Sequence, residues 1–299
     1  MAIPSPAISP LTLGTVQLGM DYGVSNSGGR PDDGAAAAIL DVAWDGGLRC
    51  LDTARAYGDA EERIGGWMAA RGRRPLIVTK VPGLRADGEE EVEVAIAASC
   101  RALGVSCLDI VMMHRATDLA RPGVRRCLQR LQDEGVIGRL GASCYLPEQL
   151  EHLLADWPAL AAVQVPLNLV NRDFSDSGVL DGCAERGVAV FTRSAFLQGL
   201  IFLAQDQQPP VLRSAAPAFA ALRALADEAR VPLESLALAG GRNHPAITSV
   251  VVGIAAPHQV ADVLAWSGAV FDPALLDRAL AICTDIDPLV GRPHLWPKS

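Results

Sequence analysis

The chain has 299 residues, half of them hydrophobic and a fifth charged, with 26 basic against 34 acidic side chains and a formal net charge of -8. This is the composition of a compact globular protein and excludes a disordered chain. An acidic balance without clustered Lys and Arg also excludes nucleic acid or an anionic membrane surface as the main partner.

No apolar run reaches the roughly 18 residues that a membrane span needs. The N-terminal stretch "MAIPSPAISP" has no basic leader followed by an apolar core, so the expected location is cytoplasmic. Seven cysteines, at 50, 100, 107, 127, 144, 183 and 283, are odd in number and lack a C-x-x-C pair. They read as free thiols in a reduced compartment, and neither a disulfide frame nor a metal site is expected from them.

Taken in order, "LTLGTVQLG" (11–19) reads as a first strand. The segment 20–31, "MDYGVSNSGGRP", reads as a long loop, and a helix at 33–46 is stopped by "DGG". "LRCLDTA" (48–54) is a second strand, followed by a helix at 60–71 that Asp59 and Glu61 open and in which Gly65 and Gly66 ease packing. "LIVTKV" (76–81) is a third, and the carboxylates at 89–91 suit the N-terminal dipole of a helix over 88–103. Strands at 107–114, 138–143 and 161–168 follow, with helices at 122–134, 147–156 and 176–187. Pro147 takes a first-turn position, and "ERG" at 185–187 ends the last of these helices. A strand at 188–195, an irregular Pro-rich segment at 197–214, a helix over 215–240, a strand at 248–255 and a helix at 257–266 complete the pattern. Residues 267–299 read as a C-terminal helix and tail, and 1–299 as one domain.

Eight buried strands alternating with helices over about 250 residues specify an α/β fold, a (β/α)8 TIM barrel. The rival, a doubly wound sheet, needs a Gly-rich phosphate turn after its first strand, and "GTVQLGMDYG" is not G-x-G-x-x-G.

On a barrel, Asp52 ends the second strand with Tyr57 in the loop beyond, Lys80 ends the third and His114 the fourth, all at one mouth. A phenol with a pKa near 10 is a poor acid at neutral pH, and a lysine cation beside it is expected to lower that value. Asp52 would keep Lys80 charged, and His114 would orient a carbonyl oxygen or share its proton with Tyr57. Such a set polarises a carbonyl that receives hydride, with Tyr57 as general acid. A Schiff-base role for Lys80 in an isomerase or aldolase would want the lysine unpaired, which Asp52 opposes.

The stretches "LGTVQLG", "LDTARAYGDAEERIG", "IVTK", "LDIVMMH", "EGVIGRLGAS", "VQVPLN" and "VVVGIAAPHQVADV" stand in one order along nearly the whole chain, and in this the sequence resembles the aldo-keto reductase superfamily. The resemblance implies a (β/α)8 barrel that binds NADP(H) extended and reduces carbonyls with a tetrad, here Asp52, Tyr57, Lys80 and His114. It also implies cofactor contacts from Ser143 and Gln164, from Arg193, Ser194, Phe196, Gly199 and Leu200 after the seventh strand, and from Gly253, Gln259 and Asp262.

Departures from the family pattern stand at Cys144, Ala255, Ala256 and Val263. No Arg or Lys lies between 253 and 263 to pair a 2′-phosphate, so Arg213 or His258 is the candidate for that role. NADPH is the expected cofactor on the family's habit, with NADH as the alternative. Substrate contacts are expected from Gln17, Tyr22, Arg55, Arg115, Tyr145, Asn168 and Phe196, with the two arginines suited to an anionic or polyhydroxylated substrate. The function expected is an NAD(P)H-dependent oxidoreductase acting on a small-molecule aldehyde, ketone or sugar carbonyl. The alternative is a cofactor-binding regulatory or subunit protein on the same barrel.

Overall fold

The computed structural model describes residues 8–85 and 88–297. Most of the N-terminal stretch read above for a leader, residues 1–7, lies outside them. Strands β1 (Leu11–Gly14), β2 (Cys50–Asp52), β3 (Leu76–Val81), β4 (Leu108–Met113), β5 (Ile137–Ser143), β6 (Leu160–Pro166), β7 (Ala189–Arg193) and β8 (Ile247–Gly253) form a closed parallel barrel in chain order. The barrel closes where β8 pairs with β1, Gly253 opposite Gly14.

The helices are α1 (Val16–Gly19), α2 (Asp33–Asp45), α3 (Ala60–Arg71), α4 (Glu89–Leu103), α5 (Pro122–Asp133), α6 (Pro147–Asp156), α7 (Asp173–Asp176), α8 (Val179–Glu185), α9 (Ala216–Ala229), α10 (Leu233–Gly240), α11 (His258–Ser267) and α12 (Pro273–Ile282). None is long and apolar enough to cross a membrane.

Strand parity organises the core. Leu51, Ile77, Val111, Ala142, Val163 and Val190 face outward into the layer between strands and helices. Their neighbours Cys50, Val78, Ile110, Met112, Ala162 and Phe191 fill the barrel interior. A third apolar cluster joins α9, α10 and α12 to the segment after β7, through Leu200, Phe219, Leu236 and Leu280.

Several boundaries differ from the sequence reading. β1 ends at Gly14, because the Thr15 amide and hydroxyl both donate to the Asp52 carbonyl at 2.9 Å and turn the chain into α1. The single helix expected over 215–240 is two, broken at Arg230 (φ 55°) with Pro232 before α10, since proline cannot continue a helix. The helix over 176–187 is likewise split, with Gly178 at φ 78° between α7 and α8. The C-terminal tail turns back to the barrel: the Gly291 carbonyl accepts from Asn168 and Asn171, and Arg292 pairs with Asp173 at 2.9 Å.

Two adjacent glycines in α3 have opposite surroundings. A Cβ on Gly65 would lie 2.1 Å from the Ala102 carbonyl oxygen of α4, whereas one on Gly66 would meet nothing within 4 Å. Gly65→Ala is therefore expected to destabilise by about 1–3 kcal/mol, from overpacking against backbone. Gly66→Ala is expected to stabilise by roughly 0.5–1 kcal/mol, by the helix propensity of alanine. Equal shifts in the denaturation midpoints of the two variants would contradict the α3–α4 packing.

Candidate active site

The parity that puts Cys50, Val78, Met112, Ala162 and Phe191 inside the barrel carries on by two residues at the C-terminal ends of the strands. It brings Asp52, Lys80, His114, Gln164 and Arg193 to the same mouth. Lys80 and Asp52 are 1% and 3% exposed, and Nζ donates to Asp52 Oδ1 at 2.6 Å and to the Thr53 carbonyl at 3.0 Å. The same Oδ1 accepts from Gln164 Nε2 at 2.7 Å, across the barrel interior.

Tyr57 hangs above this pair. Lys80 Nζ is 5.1 Å from its ring centroid, and the His114 ring stands edge-on to it with centroids 6.1 Å apart. The loop is pinned from below, where Gly58 (φ 56°) would place a Cβ 2.2 Å from the Gly19 carbonyl. Arg55 N also donates to the Lys80 carbonyl at 3.2 Å.

The titration of these groups departs from expectation. The Tyr57 phenol is pushed above its ordinary value by burial and then by Asp52, with Arg193 opposing. Lys80, paired with Asp52 at 2.6 Å, is not among the groups that lower it. Burial pulls Lys80 below its own ordinary value, and Asp52 works against that shift. His114 is pulled down to about 4, by burial and then by Lys80, Arg193 and Arg115, so its imidazole is neutral at pH 7.

A cavity of about 1000 Å³ opens from this mouth. It is lined by Asp52, Tyr57, Gln164, Gln17, Tyr22, Arg193, Ser194, Phe196, Gly199, Gly253 and Gln259 among the residues singled out from the sequence. The loop 20–31 forms one wall, and Ser25 N and Oγ donate to the Gln198 carbonyl of the segment after β7, bridging the cleft. Gln17 Oε1 and Arg193 Nη2 are buried there without a partner. The Arg193 guanidinium lies 4.4 Å over the Tyr145 ring, which also meets His294 at 4.2 Å. Ser143 is buried at the end of β5, in register with Gln164.

Other residues read from the sequence lie away from the cleft. Arg55 donates to Glu61 at 2.6 Å and Glu62 at 2.7 Å. Arg115 bonds Asp118 and the Leu84 carbonyl. Asn168 is fully buried and accepts from the Val170 and Asn171 amides. Arg213 is held by the Gln208 and Asp206 carbonyls. Leu200 is in the α9–α12 core, and Asp262 is exposed on α11.

Two residues escaped the sequence reading. His294 reaches Tyr145 from the C-terminal tail, and no local signal announces it. Glu61, read as a helix-opening carboxylate, is 1% exposed and accepts from Thr79 at 2.6 Å, Ser99 at 3.1 Å and Arg55 at 2.6 Å. An acidic residue one turn ahead of the buried Ile64, Gly65 and Trp67 is the available sign. Far from the cleft, Glu89, Glu93 and Cys127 are the one group with metal-ligand spacing among the described residues, and Arg130 already neutralises Glu93.

The structure is a closed (β/α)8 barrel with a buried Lys–Asp pair under a tyrosine at its mouth and a cleft beside it. The model of the aldo/keto reductase family matches residues 10–279, and the chain belongs to that family. A D-threo-aldose 1-dehydrogenase from Pseudomonas sp is 25% identical, covering 87% of this chain and 92% of its own length. A pyridoxal 4-dehydrogenase from Microbacterium luteolum is 24% identical, covering 87% and 89%. The solved structure of a glycerol dehydrogenase from Gluconobacter oxydans shares the fold with a TM-score of 0.74, at 23% identity over 96% of this chain and 97% of its own.

Removing the Glu61 carboxylate leaves Thr79, Ser99 and Arg55 facing an empty buried acceptor site. Glu61→Ala is expected to cost about 3–5 kcal/mol, the penalty for breaking a buried pair. Glu62→Ala, at the exposed side of the same arginine, is expected to cost about 1 kcal/mol or less. Urea denaturation of both variants measures the difference, and similar losses would refute the clamp.

Proposed function

We propose that this chain is an NAD(P)H-dependent reductase of a small aldehyde, ketone or sugar carbonyl, with Tyr57 as the proton donor. The observation that carries this reading is the buried Lys80–Asp52 pair at 2.6 Å directly beneath Tyr57, with the edge of His114 beside it. The cleft suits a nicotinamide dinucleotide: it adjoins Tyr57, and it presents Gln17 Oε1 and Arg193 Nη2, both buried without partners, as polar groups for a ligand. When bound, such a cofactor supplies the hydride.

The protein's own groups do the rest. With its pKa raised, Tyr57 holds its proton at neutral pH and releases it only to an oxygen that is acquiring negative charge. The neutral His114 imidazole donates a hydrogen bond that orients the carbonyl without adding a titrating charge. Gln164, with Ser143 beside it in register, would hold a carboxamide, and Ser194, Phe196, Gly199, Gly253 and Gln259 would line the rest of the cofactor. Gln17, Tyr22 and Tyr145, with His294, are the candidates for the substrate side. Family habit makes NADPH the expected form of the cofactor, and the charge at the far end of the cleft bears on that below. Relatives named for sugars, pyridoxal and glycerol set the range of carbonyl compounds for a first panel.

Tyr57→Phe is expected to lose reductase activity by a factor of about 100 or more, while cofactor binding, followed by quenching of protein fluorescence, survives. Full activity in that variant would refute the acid assignment. Because His114 titrates near 4 and is neutral above it, kcat/KM is expected to be flat from pH 5.5 to 8. A step near pH 6.5 that His114→Gln removes would show instead that the imidazole works in its charged form.

A further inference from the structure

The cleft that begins at Tyr57 has a far end, where α10 and α11 meet the C-terminal end of β8. A dinucleotide whose reactive ring lies at Tyr57 puts its adenosine there. This end is lined by Phe202, Gly253, Val263 and Trp266, with Glu234 from the first turn of α10. Glu234 is half-buried and makes no hydrogen bond or ion pair among the described residues. It is a free carboxylate facing a ligand cleft.

The groups that would hold a phosphate at this end are missing or already engaged. The amides of Ala255 and Ala256, in the loop between β8 and α11, donate to Gln259 Oε1 at 2.8 and 3.1 Å. These two loop amides, which would otherwise be open to an anion, are therefore engaged from within. The Arg213 guanidinium is held by two carbonyls and does not line the cleft, and His258 is exposed and lies outside it. Of the two arginines on the wall, Arg30 is paired with Asp59 at 2.9 Å, and Arg193 sits over Tyr145 at the reacting end.

We infer that the adenosine end of this cleft takes an unphosphorylated ribose, and that the enzyme prefers NADH to NADPH. Glu234 accepts hydrogen bonds from the ribose hydroxyls, and the same carboxylate repels a 2′-phosphate, for which no cation stands ready. The flat apolar walls of Phe202, Val263 and Trp266 suit the adenine. The inference rests on the nicotinamide reading above and replaces the expectation of NADPH.

The test is direct binding, with no turnover required. Trp266 lines the site, so quenching of tryptophan fluorescence on titration with NADH and with NADPH gives both dissociation constants. NADH is expected to bind more tightly by a factor of about 10 to 100, the worth of a hydrogen bond to a charged group. Glu234→Gln is expected to shrink that ratio to within about threefold, and Glu234→Arg to invert it. Tighter binding of NADPH by the wild type overturns the inference and leaves the reductase reading intact. Binding of neither cofactor overturns both. A preference for NADH that Glu234→Gln leaves unchanged shows that the carboxylate is not its source and also overturns the assignment.

Discussion

Everything at the mouth of this barrel depends on one buried ion pair. A lysine as fully enclosed as Lys80 costs several kcal/mol to strip of water, and a close acceptor must offset that cost. Asp52 at 2.6 Å and the Thr53 carbonyl at 3.0 Å supply it. Both come from the end of β2, so the pair also welds β2 to β3 at the point where the Tyr57 loop departs. Thr53 N to the Val78 carbonyl and Arg55 N to the Lys80 carbonyl extend that bonding past the last residue of β2. The loop leaves the sheet already held in register, and Tyr57 is set over the lysine by backbone geometry. The same setting shapes the electrostatics: burial first, and then the Asp52 carboxylate, keep the Tyr57 phenol protonated.

The same strand serves a second purpose through its other face. Thr79 points away from Lys80 into the layer between sheet and helices and donates to Glu61, which also gathers Ser99 and Arg55. β3 thus turns Lys80 inward to Asp52 and Thr79 outward to the clamp on consecutive residues. The clamp ties α3, α4 and the Tyr57 loop to the strand that bears the lysine.

This division explains what could be read in the sequence. Inward positions at strand ends were legible because parity is a local property: once "IVTK" and "LDIVMMH" are strands, Lys80 and His114 can point only one way. Gln164, Arg193 and Gly253, implied by the family resemblance, obey the same rule. Loop and helix-start residues were not legible, because their directions are decided by partners remote in the chain. Arg55 turns to Glu61 and Glu62, Arg115 to Asp118 and the Leu84 carbonyl, and Asn168 to its own turn and to Gly291. Glu61 does open α3, and a carboxylate in a first helical turn has a sufficient local explanation in the dipole. Only the tertiary contacts reveal the second, stronger one. The broken helix over 215–240 was legible in principle, since Pro232 stands in it.

The cleft itself is electrically polar along its length. At the reacting end Arg193 is a permanent cation with no carboxylate partner among the described residues, and its field helps hold both His114 and His294 neutral near the mouth. At the far end the Glu234 carboxylate makes no ion pair among the described residues. Neither charge has a structural task that fixes its identity, as Asp52 and Glu61 do, and both stand on regular elements that hold them in place. A charge held on a rigid wall without an opposite partner is one that a ligand can complete. The two therefore favour a ligand with its hydroxyl donors toward Glu234 and its electron-rich groups toward Arg193. That orientation brings the reactive end of the ligand to Tyr57.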